Sequence, residues 1–215
     1  MHRYRLPDGA EAQFQPGSHR RVLANRLGII RKRDMDQAEY EALVQVQERY
    51  LHIITSDTRF TAVLLRKMHR DWLGGIYEWA GDYRTVDMEK GGFRWPPAKL
   101  VEQNVACFDA DILTRHTPCK PGKLPEVGRG IAVVHAEFLL IHPFREGNGR
   151  LARWLASLMA LQAGLPTPDY RFEGRGSRAE KVRYLDAVTR GYVRDYRPLA
   201  DFFVETLARR LEHDG

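Results

Sequence analysis

Residues 131–153 constrain this chain more than any other stretch, because a loop of charged and small residues separates two apolar segments there. The first segment ends at His142, which precedes Pro143, and a residue before proline is biased away from helical geometry. After the loop, apolar residues recur at the spacing of a buried helix face: Leu151, Trp154, Leu155, Leu158 and Met159. The sequence therefore predicts a helix, a loop and a second helix that begins at the loop.

The loop contains the groups that an anion site needs. Gly147 and Gly149 leave backbone N–H groups uncovered at a helix start, where the helix dipole favours negative charge. Arg150 and Arg153 are three residues apart, so both cations face the same side of the first helical turn. Glu146 supplies a hard carboxylate, which suits Mg²⁺ shared with a nucleotide. We therefore predict a phosphate site at this helix start.

Other interpretations of these residues are open on their spacing alone. A Gly-x-Gly pair is often only a turn, and Gly147, Gly149 and Ala152 imitate a dinucleotide fingerprint. That fingerprint requires a preceding strand and a βαβ pattern, and neither surrounds the loop. His142 could act as a base near neutral pH, although a lone histidine at a helix end is ordinary. A prediction of function therefore has to rest on the loop as a whole and not on any one of these residues.

Residues 142–153 match the pattern His-x-Phe-x-(Asp/Glu)-Gly-Asn-(Gly/Lys)-Arg-x-x-Arg at every fixed position. This pattern is the signature motif of Fic domains, and the chain resembles that family through it. The resemblance implies a mainly α fold, a helical bundle with a small β-hairpin flap beside the active-site loop. It also implies a nucleotidyltransferase that moves AMP from ATP to a Tyr, Thr or Ser hydroxyl of a target protein and releases pyrophosphate.

The same resemblance implies a role for each motif residue. His142 is expected to be the general base for the target hydroxyl, Phe144 the buried anchor of the loop, and Glu146 the Mg²⁺ ligand. The residues expected to bind the phosphates of ATP are Gly147, Asn148, Gly149, Arg150 and Arg153, the last at the γ-phosphate. Tyr184, in a later helix, resembles a family position near the adenine or ribose, although an aromatic residue at helical spacing is more often part of the core.

Residues 85–97 predict a β-hairpin, because two short extended runs flank Lys90, Gly91 and Gly92. In Fic domains a hairpin in this position is the flap, which binds an extended segment of the target by backbone pairing. The expected docking residues are Lys90, Gly91, Gly92 and Phe93. A purely structural hairpin is the alternative.

The chain divides into an irregular basic arm, residues 1–35, that packs on a Fic domain of residues 36–215, whose motif core spans about 59–165. Part of the arm, 22–28, resembles the leader of certain bacterial Fic toxins and secreted effectors, and a solvated basic segment is the alternative. Apolar periodicity and capping residues, including Asp36 as an N-cap, predict helices at about 36–54, 58–73, 98–116, 126–141, 149–163, 178–193 and 197–212.

Composition excludes several classes of protein. A chain of 215 residues with 43% hydrophobic and 29% charged residues is typical of one soluble domain with a peripheral arm. No apolar run is long enough to cross a bilayer, and the polar start lacks the apolar middle of a secretory signal. We therefore predict a cytoplasmic protein without membrane contact, or one delivered into a host cell by a specialised secretion system.

The net charge and the two cysteines limit the kinds of ligand and site that the chain is expected to have. The net charge of +6 comes from scattered basic residues, which favour attraction of ATP or an acidic target over nucleic-acid binding. Cys107 and Cys119 lie twelve residues apart and predict neither a disulfide framework nor a zinc site.

Two other functions are alternatives to AMP transfer. A Fic-fold enzyme could transfer another nucleotide, phosphocholine or phosphate, or remove AMP, whereas a non-catalytic module could bind partners through its basic surface. Gly149 stands where phosphorylating relatives have lysine, and both His142 and Glu146 are present. Bacterial Fic toxins act on type II topoisomerases such as DNA gyrase and topoisomerase IV, whereas secreted effectors act on host small GTPases.

Fic domains are commonly inhibited by a helix with the motif (Ser/Thr)-x-x-x-Glu-(Gly/Asn), whose glutamate pairs with the second motif arginine. In this chain only Thr85 and Glu89 have that spacing, but Lys90 follows them and the segment lies in the predicted flap. We therefore predict an inhibitor supplied in trans, a small antitoxin protein that pairs with Arg153. The alternative is that this regulation is absent.

Overall fold

The computed structural model describes residues 10–214 of the chain. Its helices are α1 Lys32–Leu51, α2 Ala62–Leu73, α3 Val101–Cys107, α4 Thr114–His116, α5 Leu124–Ile141, α6 Asn148–Gln162, α7 Ser177–Gly191 and α8 Arg197–Asp214. Short 3-10 turns lie at Ala10–Ala12 and Ala98–Leu100, and a π-helical segment, Phe108–Leu113, joins α3 to α4. The predicted mainly α fold with a small hairpin is confirmed.

Helix α5 is the centre of the bundle and contacts α6, α7 and α8. Most residues of α5 are apolar, and Ile131, Ala132 and Val134 are buried on different sides of the helix. A helix that is apolar all round is stable only when other helices surround it. Since α5 ends at the active-site loop, this packing fixes the position of the loop.

The start of α1 was predicted incorrectly. The helix begins at Lys32, with Arg31 as an N-cap that makes no side-chain capping hydrogen bond, and Asp36 lies inside the helix, where it pairs with Lys32. The buried face already includes Met35, so packing extends the helix beyond the predicted cap. Helix α2 likewise starts later than predicted, after Thr61, whose hydroxyl accepts a hydrogen bond from the Leu64 backbone.

The basic arm contacts the core within its described part, residues 10–31, whereas residues 1–9 lie outside the described residues. Phe14 and Leu23 form an isolated antiparallel bridge. The buried Glu11 carboxylate accepts hydrogen bonds from the backbone and hydroxyl of Thr85, and its carbonyl accepts one from Arg145 at 3.0 Å. The arm therefore joins the base of the hairpin to the active-site loop.

The hairpin consists of β1 Glu89–Lys90 and β2 Phe93–Arg94, antiparallel, with Lys90 opposite Phe93. Gly91 and Gly92 form the two-residue turn with φ of 59° and 81°. A tight turn with both central residues in the left-handed region favours glycine at both positions. The regular strands are shorter than the predicted span of 85–97. Within residues 10–214, no helix is both long and apolar enough to cross a membrane.

Candidate active site

The active-site loop begins where α5 ends, at His142. The backbone of His142 is left-handed, with φ 52° and ψ 59°, and this turn directs the chain away from the helix axis. Six residues later α6 begins at Asn148, with Gly147 as its N-cap. The predicted sequence of helix, loop and helix is therefore present, and His142 lies at the point where α5 ends and the loop opens.

The ring of His142 has a defined tautomer. Its Nδ1 lies 3.2 Å from the carbonyl oxygen of Leu139, and because a carbonyl only accepts, Nδ1 carries the proton. Burial lowers the pKa of His142 to about 4, so the ring is neutral at pH 7. Trp95 covers the ring, with centroids 4.1 Å apart, and its indole N–H also donates to Leu139. Nε2 is therefore the free basic nitrogen.

Arg84 holds the loop against the base of the hairpin. Its guanidinium donates to the carbonyls of His142 at 2.7 Å, Val86 at 2.9 Å and Pro96 at 2.6 Å, and its backbone N–H donates to Pro143 at 2.8 Å. The side chain is only 2% exposed. Nothing in the sequence indicated that this arginine fixes the backbone of His142.

Phe144 is buried, as expected for the anchor of the loop, and its ring stacks on His69 at 3.9 Å. The Gly81 backbone N–H donates to Nδ1 of His69, so Nε2 carries the proton and donates to the Glu146 carbonyl at 3.1 Å. Burial lowers the pKa of His69 to about 4 and keeps it neutral. His69, which the sequence analysis missed, therefore supports the loop from α2.

Asn148 does not face an anion with its side chain. Its amide oxygen accepts from the Phe144 backbone N–H at 2.9 Å, and its amide nitrogen donates to the Phe144 carbonyl at 2.7 Å. The side chain is buried and closes the loop on itself. The predicted phosphate-binding role is therefore restricted to the backbone N–H of Asn148.

Gly147 and Gly149 are glycines for two different structural reasons. Gly147 has φ 85°, and a Cβ there would lie 2.8 Å from the ring of Trp72. A Cβ at Gly149 would meet nothing nearer than the Arg153 guanidinium at 3.5 Å. No side chain caps α6, so the first-turn N–H groups are available to an anion. Gly147 is required by the fold, whereas Gly149 keeps the helix end open.

A matched pair of alanine substitutions separates these two roles. We expect Gly147→Ala to lower the free energy of unfolding by about 2 kcal/mol or more, from left-handed strain and the clash with Trp72. Gly149→Ala should leave stability unchanged or slightly raised and weaken ATP binding, because its methyl group covers the helix end. Chemical denaturation and calorimetric titration measure the two effects. Equal stability of both variants would contradict this assignment.

Arg150 was predicted to clamp the triphosphate, but in the structure it binds carboxylates. Its Nη2 lies 2.6 Å from Glu39, which is 1% exposed, and 3.3 Å from Glu146. The guanidinium also stacks 4.8 Å above the ring of Trp72. Only its remaining donors could meet a phosphate. Glu39 lies far from the motif on α1, and its place in the sequence gave no indication of this contact.

Arg153 is the motif arginine whose charge is not neutralised by an acid. It forms no ion pair with any residue in the described part of the chain, 10–214. It lines a cavity of about 340 Å³ between α1 and α6. Its guanidinium lies 5.7 Å from the ring centroid of Phe172. An unpaired cation beside an uncapped helix start suits a phosphate group.

Tyr184 packs in the aromatic core of the bundle. Its side chain is 4% exposed and packs among Tyr170, Phe172 and Phe202, and its hydroxyl is hydrogen-bonded to His135. The described contacts of this side chain are with the core, the alternative that its helical spacing left open. The nucleotide contact stays a prediction.

The hairpin residues also have two different environments. Lys90, Gly91 and Gly92 are exposed, whereas the Phe93 ring packs 4.9 Å from Tyr192 and 5.3 Å from Trp95. The side chain of Phe93, predicted to dock the target, thus anchors the hairpin to the bundle. Backbone pairing along the hairpin is the remaining way to bind a target segment.

Glu146 suits a shared metal site. Among residues 10–214 no group of three or more His, Cys, Asp or Glu side chains could bind a metal ion by itself. The Glu146 side chain is 43% exposed, and its carboxylate accepts from the Gly147 backbone N–H at 2.9 Å. A single accessible carboxylate at an anion site fits Mg²⁺ when phosphate oxygens supply the other ligands.

Comparison with known proteins agrees with this geometry. Residues 59–160 match the Fic/DOC family. A probable protein adenylyltransferase, y4lH of Sinorhizobium fredii, is 30% identical over 185 residues, which cover 86% of this chain and 90% of that protein. The chain belongs to the Fic/DOC family. The family predicted from the loop motif is therefore confirmed, and the predicted class of enzyme agrees with the name of this relative.

Other Fic proteins match over different lengths. The protein adenylyltransferase VbhT of Bartonella schoenbuchensis is 28% identical over 143 residues, which cover 66% of this chain and 30% of VbhT. Among solved structures, the chain is similar to BepC, a VirB-translocated effector of Bartonella tribocorum, which was solved with bound AMPPNP. The two superpose with a TM-score of 0.72 at 20% sequence identity, and the match covers 91% of this chain and 96% of that one. The structural similarity shows a shared Fic fold.

Proposed function

We propose that this chain is a protein adenylyltransferase that moves AMP from ATP to a hydroxyl group of a target protein. The observation that carries the proposal is a neutral His142 with a free Nε2 at the rim of an uncapped helix start that contains the unpaired Arg153. A base next to an anion site is what the activation of a hydroxyl against a phosphate requires. The names of the Fic relatives support the same chemistry.

In the proposed reaction, Nε2 of His142 takes the proton of the target hydroxyl as its oxygen attacks the α-phosphorus of ATP. The bond from the α-phosphorus to the oxygen that bridges to the β-phosphate breaks, and pyrophosphate leaves. The first-turn N–H groups of α6 and the guanidinium of Arg153 stabilise the phosphate charge. Glu146 would hold Mg²⁺, which when bound neutralises part of the triphosphate charge.

The target is proposed to lie along the hairpin, next to His142. The exposed backbone at 89–92 is open to an added strand, and Arg84 ties the base of the hairpin to the carbonyl of His142. Because of this tie, a segment paired with the hairpin would present its hydroxyl near Nε2. The same arrangement suits a bacterial topoisomerase target of a toxin and a host GTPase target of an effector.

The proposal is tested with α-labelled ATP in two lysates. We expect the wild-type chain, and not His142→Ala, to label a discrete protein. Labelling in a bacterial lysate supports a bacterial target such as DNA gyrase or topoisomerase IV, whereas labelling only in a host-cell lysate supports a GTPase target. Label from another nucleoside triphosphate alone would favour the alternative Fic chemistries, and no labelling in either lysate would contradict the proposal.

An inhibitor supplied in trans is proposed to bind the cavity between α1 and α6. Apolar side chains from both helices line it: Leu43, Leu51, Trp154, Leu158 and Leu161. Arg153 also lines it, so a helix in this groove could place a glutamate on the guanidinium and exclude the γ-phosphate. Such a charge-assisted pair contributes roughly 1.5–3 kcal/mol.

Co-expression with the neighbouring small reading frame tests this inhibitor. We expect the chain alone to slow growth of its bacterial host, and co-expression to restore growth. Leu161→Glu, which places an acid in the groove, should abolish the rescue and keep the activity of the chain. Identical growth and AMP transfer with and without the reading frame would exclude an inhibitor encoded there.

A further inference from the structure

The carbonyl oxygen of Leu139 accepts side-chain hydrogen bonds from three parts of the chain. Nδ1 of His142 lies 3.2 Å from it, the indole N–H of Trp95 donates to it at 2.9 Å, and the Tyr192 hydroxyl lies 3.5 Å away. Leu139 is in the last turn of α5, where carbonyls lack helical donors, and the residue four positions later is Pro143, which has no N–H. This carbonyl is therefore open to side chains.

Trp95 belongs to the base of the hairpin. Its backbone N–H donates to the Met88 carbonyl at 3.1 Å, one position beyond the paired strands. Its ring centroid lies 5.3 Å from that of Phe93, which lies 4.9 Å from that of Tyr192. An indole N–H can only donate, and here its acceptor is the Leu139 carbonyl. The hairpin, the end of α7 and the end of α5 therefore hold this ring together.

The indole of Trp95 also lies over the ring of His142, with the centroids 4.1 Å apart and the planes inclined by 34°. Both rings bond to the same carbonyl, so one acceptor sets their relative position. With Nδ1 bonded and one face covered, Nε2 is the nitrogen that remains for a substrate. A ring held by two such contacts samples fewer rotamers than a free one.

The cover over His142 also affects its protonation. Burial is the main cause that lowers its pKa to about 4, and the charges of Arg84 and Lys90 act in the same direction. A backbone hydrogen bond and the charge of Glu146 oppose them. Tyr192 adds no charge at neutral pH, because burial raises its pKa to about 12. Since desolvation dominates, the residue that covers the ring matters more than the charges around it.

We propose that Trp95 is a positioning residue for His142, an inference that rests on the proposed function. Trp95 shares the Leu139 carbonyl with Nδ1 and covers one face of the ring, so it keeps the ring oriented and shields it from water. Because Trp95 belongs to the hairpin, the segment proposed to bind the target also carries the residue that prepares the base.

Trp95→Ala tests the inference, because it removes both the cover and the indole N–H. An NMR titration of the full chain without substrate follows the His142 ring, whose resonance is identified by its absence in His142→Ala. We expect the pKa of His142 to rise from about 4 to about 5 or higher, toward the ordinary value of about 6.5, because water reaches the ring. An unchanged pKa in folded Trp95→Ala would overturn the inference.

Trp95→Phe is the milder variant, since it keeps an aromatic ring and removes the N–H. Single-turnover transfer of the α-label of ATP is measured on the lysate protein that the wild type labels, and calorimetry measures ATP affinity. We expect transfer at pH 7 to slow about 5-fold, the effect of one hydrogen bond, and ATP affinity to stay unchanged. Equal loss of both would indicate a general structural role and overturn the inference.

Trp79→Phe is the matched control. The Trp79 indole N–H is buried without a hydrogen-bond partner among the described residues, and its ring stacks 4.5 Å from that of Tyr77. Removing this N–H should change neither transfer nor ATP affinity, and an equal slowing of transfer would overturn the assignment to Trp95. The NMR titration needs no turnover. A wild-type chain that transfers no AMP would therefore contradict the proposed function, whereas an unmoved pKa in Trp95→Ala overturns the positioning role alone.

Discussion

His142→Ala lowers the rate of AMP transfer by about 10²- to 10⁴-fold, the usual contribution of a positioned general base. ATP affinity is expected to be unchanged, because Nδ1 of His142 binds Leu139 and the free Nε2 serves the attacking hydroxyl. Single-turnover transfer and calorimetric titration of the same preparation measure the two quantities. Parallel loss of transfer and of ATP binding would instead place the ring in the phosphate site.

The pH dependence of transfer gives a second test of His142. A base acts in its unprotonated form, so kcat/KM falls as pH falls through the pKa of the free enzyme. Since burial lowers the pKa of His142 to about 4, we expect kcat/KM to stay level from pH 7 to about pH 5. His52→Ala, at an exposed histidine after α1, is the control and should not alter the profile. A fall centred near pH 6.5 would show that His142 is solvated.

Arg84→Met should lower the free energy of unfolding by about 3 kcal/mol or more and strongly impair transfer. The substitution leaves the carbonyls of His142, Val86 and Pro96 without their donor, and each buried acceptor left unpaired costs roughly 1–3 kcal/mol. Thermal and chemical denaturation measure the stability, and transfer below the unfolding midpoint measures the activity.

The control for Arg84→Met is Arg66→Met. Arg66 bonds to the Gly81 carbonyl and to the exposed carboxylate of Asp82, so its loss should cost about 1 kcal/mol or less. We expect this variant to retain transfer. If Arg84→Met is no less stable than Arg66→Met, the network around the His142 carbonyl does not support the loop as described.

The contiguous parts of the site could be predicted from the sequence. The apolar stripe of α6, the proline after His142 and the two glycines lie within one short segment, so local rules place them on a helix and at its start. The hairpin was predicted for the same reason, since Gly91 and Gly92 specify a tight turn. Local signals failed at the start of α1, where burial of Met35 outweighed the cap at Asp36.

The residues that support the active site could not be predicted from the sequence. They lie on segments far from the loop motif along the chain, and only the fold brings them to the site. Glu39 of α1, His69 of α2 and His135 of α5 are ionisable residues on the otherwise mostly apolar buried faces of their helices, and periodicity alone assigns them only to a face. Their importance comes from what they touch: Arg150, the Glu146 carbonyl and Tyr184. The same limit explains why Asn148 was assigned to phosphate, since its bonds to Phe144 depend on the folded loop.

The most direct test of AMP transfer by this site follows the α- and γ-phosphates of ATP in two parallel reactions. The purified chain and its target are incubated with ATP labelled at the α-phosphate and, in a parallel reaction, at the γ-phosphate. We predict that the α-label enters the target, that the γ-label leaves as pyrophosphate in equal amount, and that His142→Ala abolishes both. Entry of the γ-label into protein, or transfer that persists in His142→Ala, would contradict nucleotidyl transfer by this site.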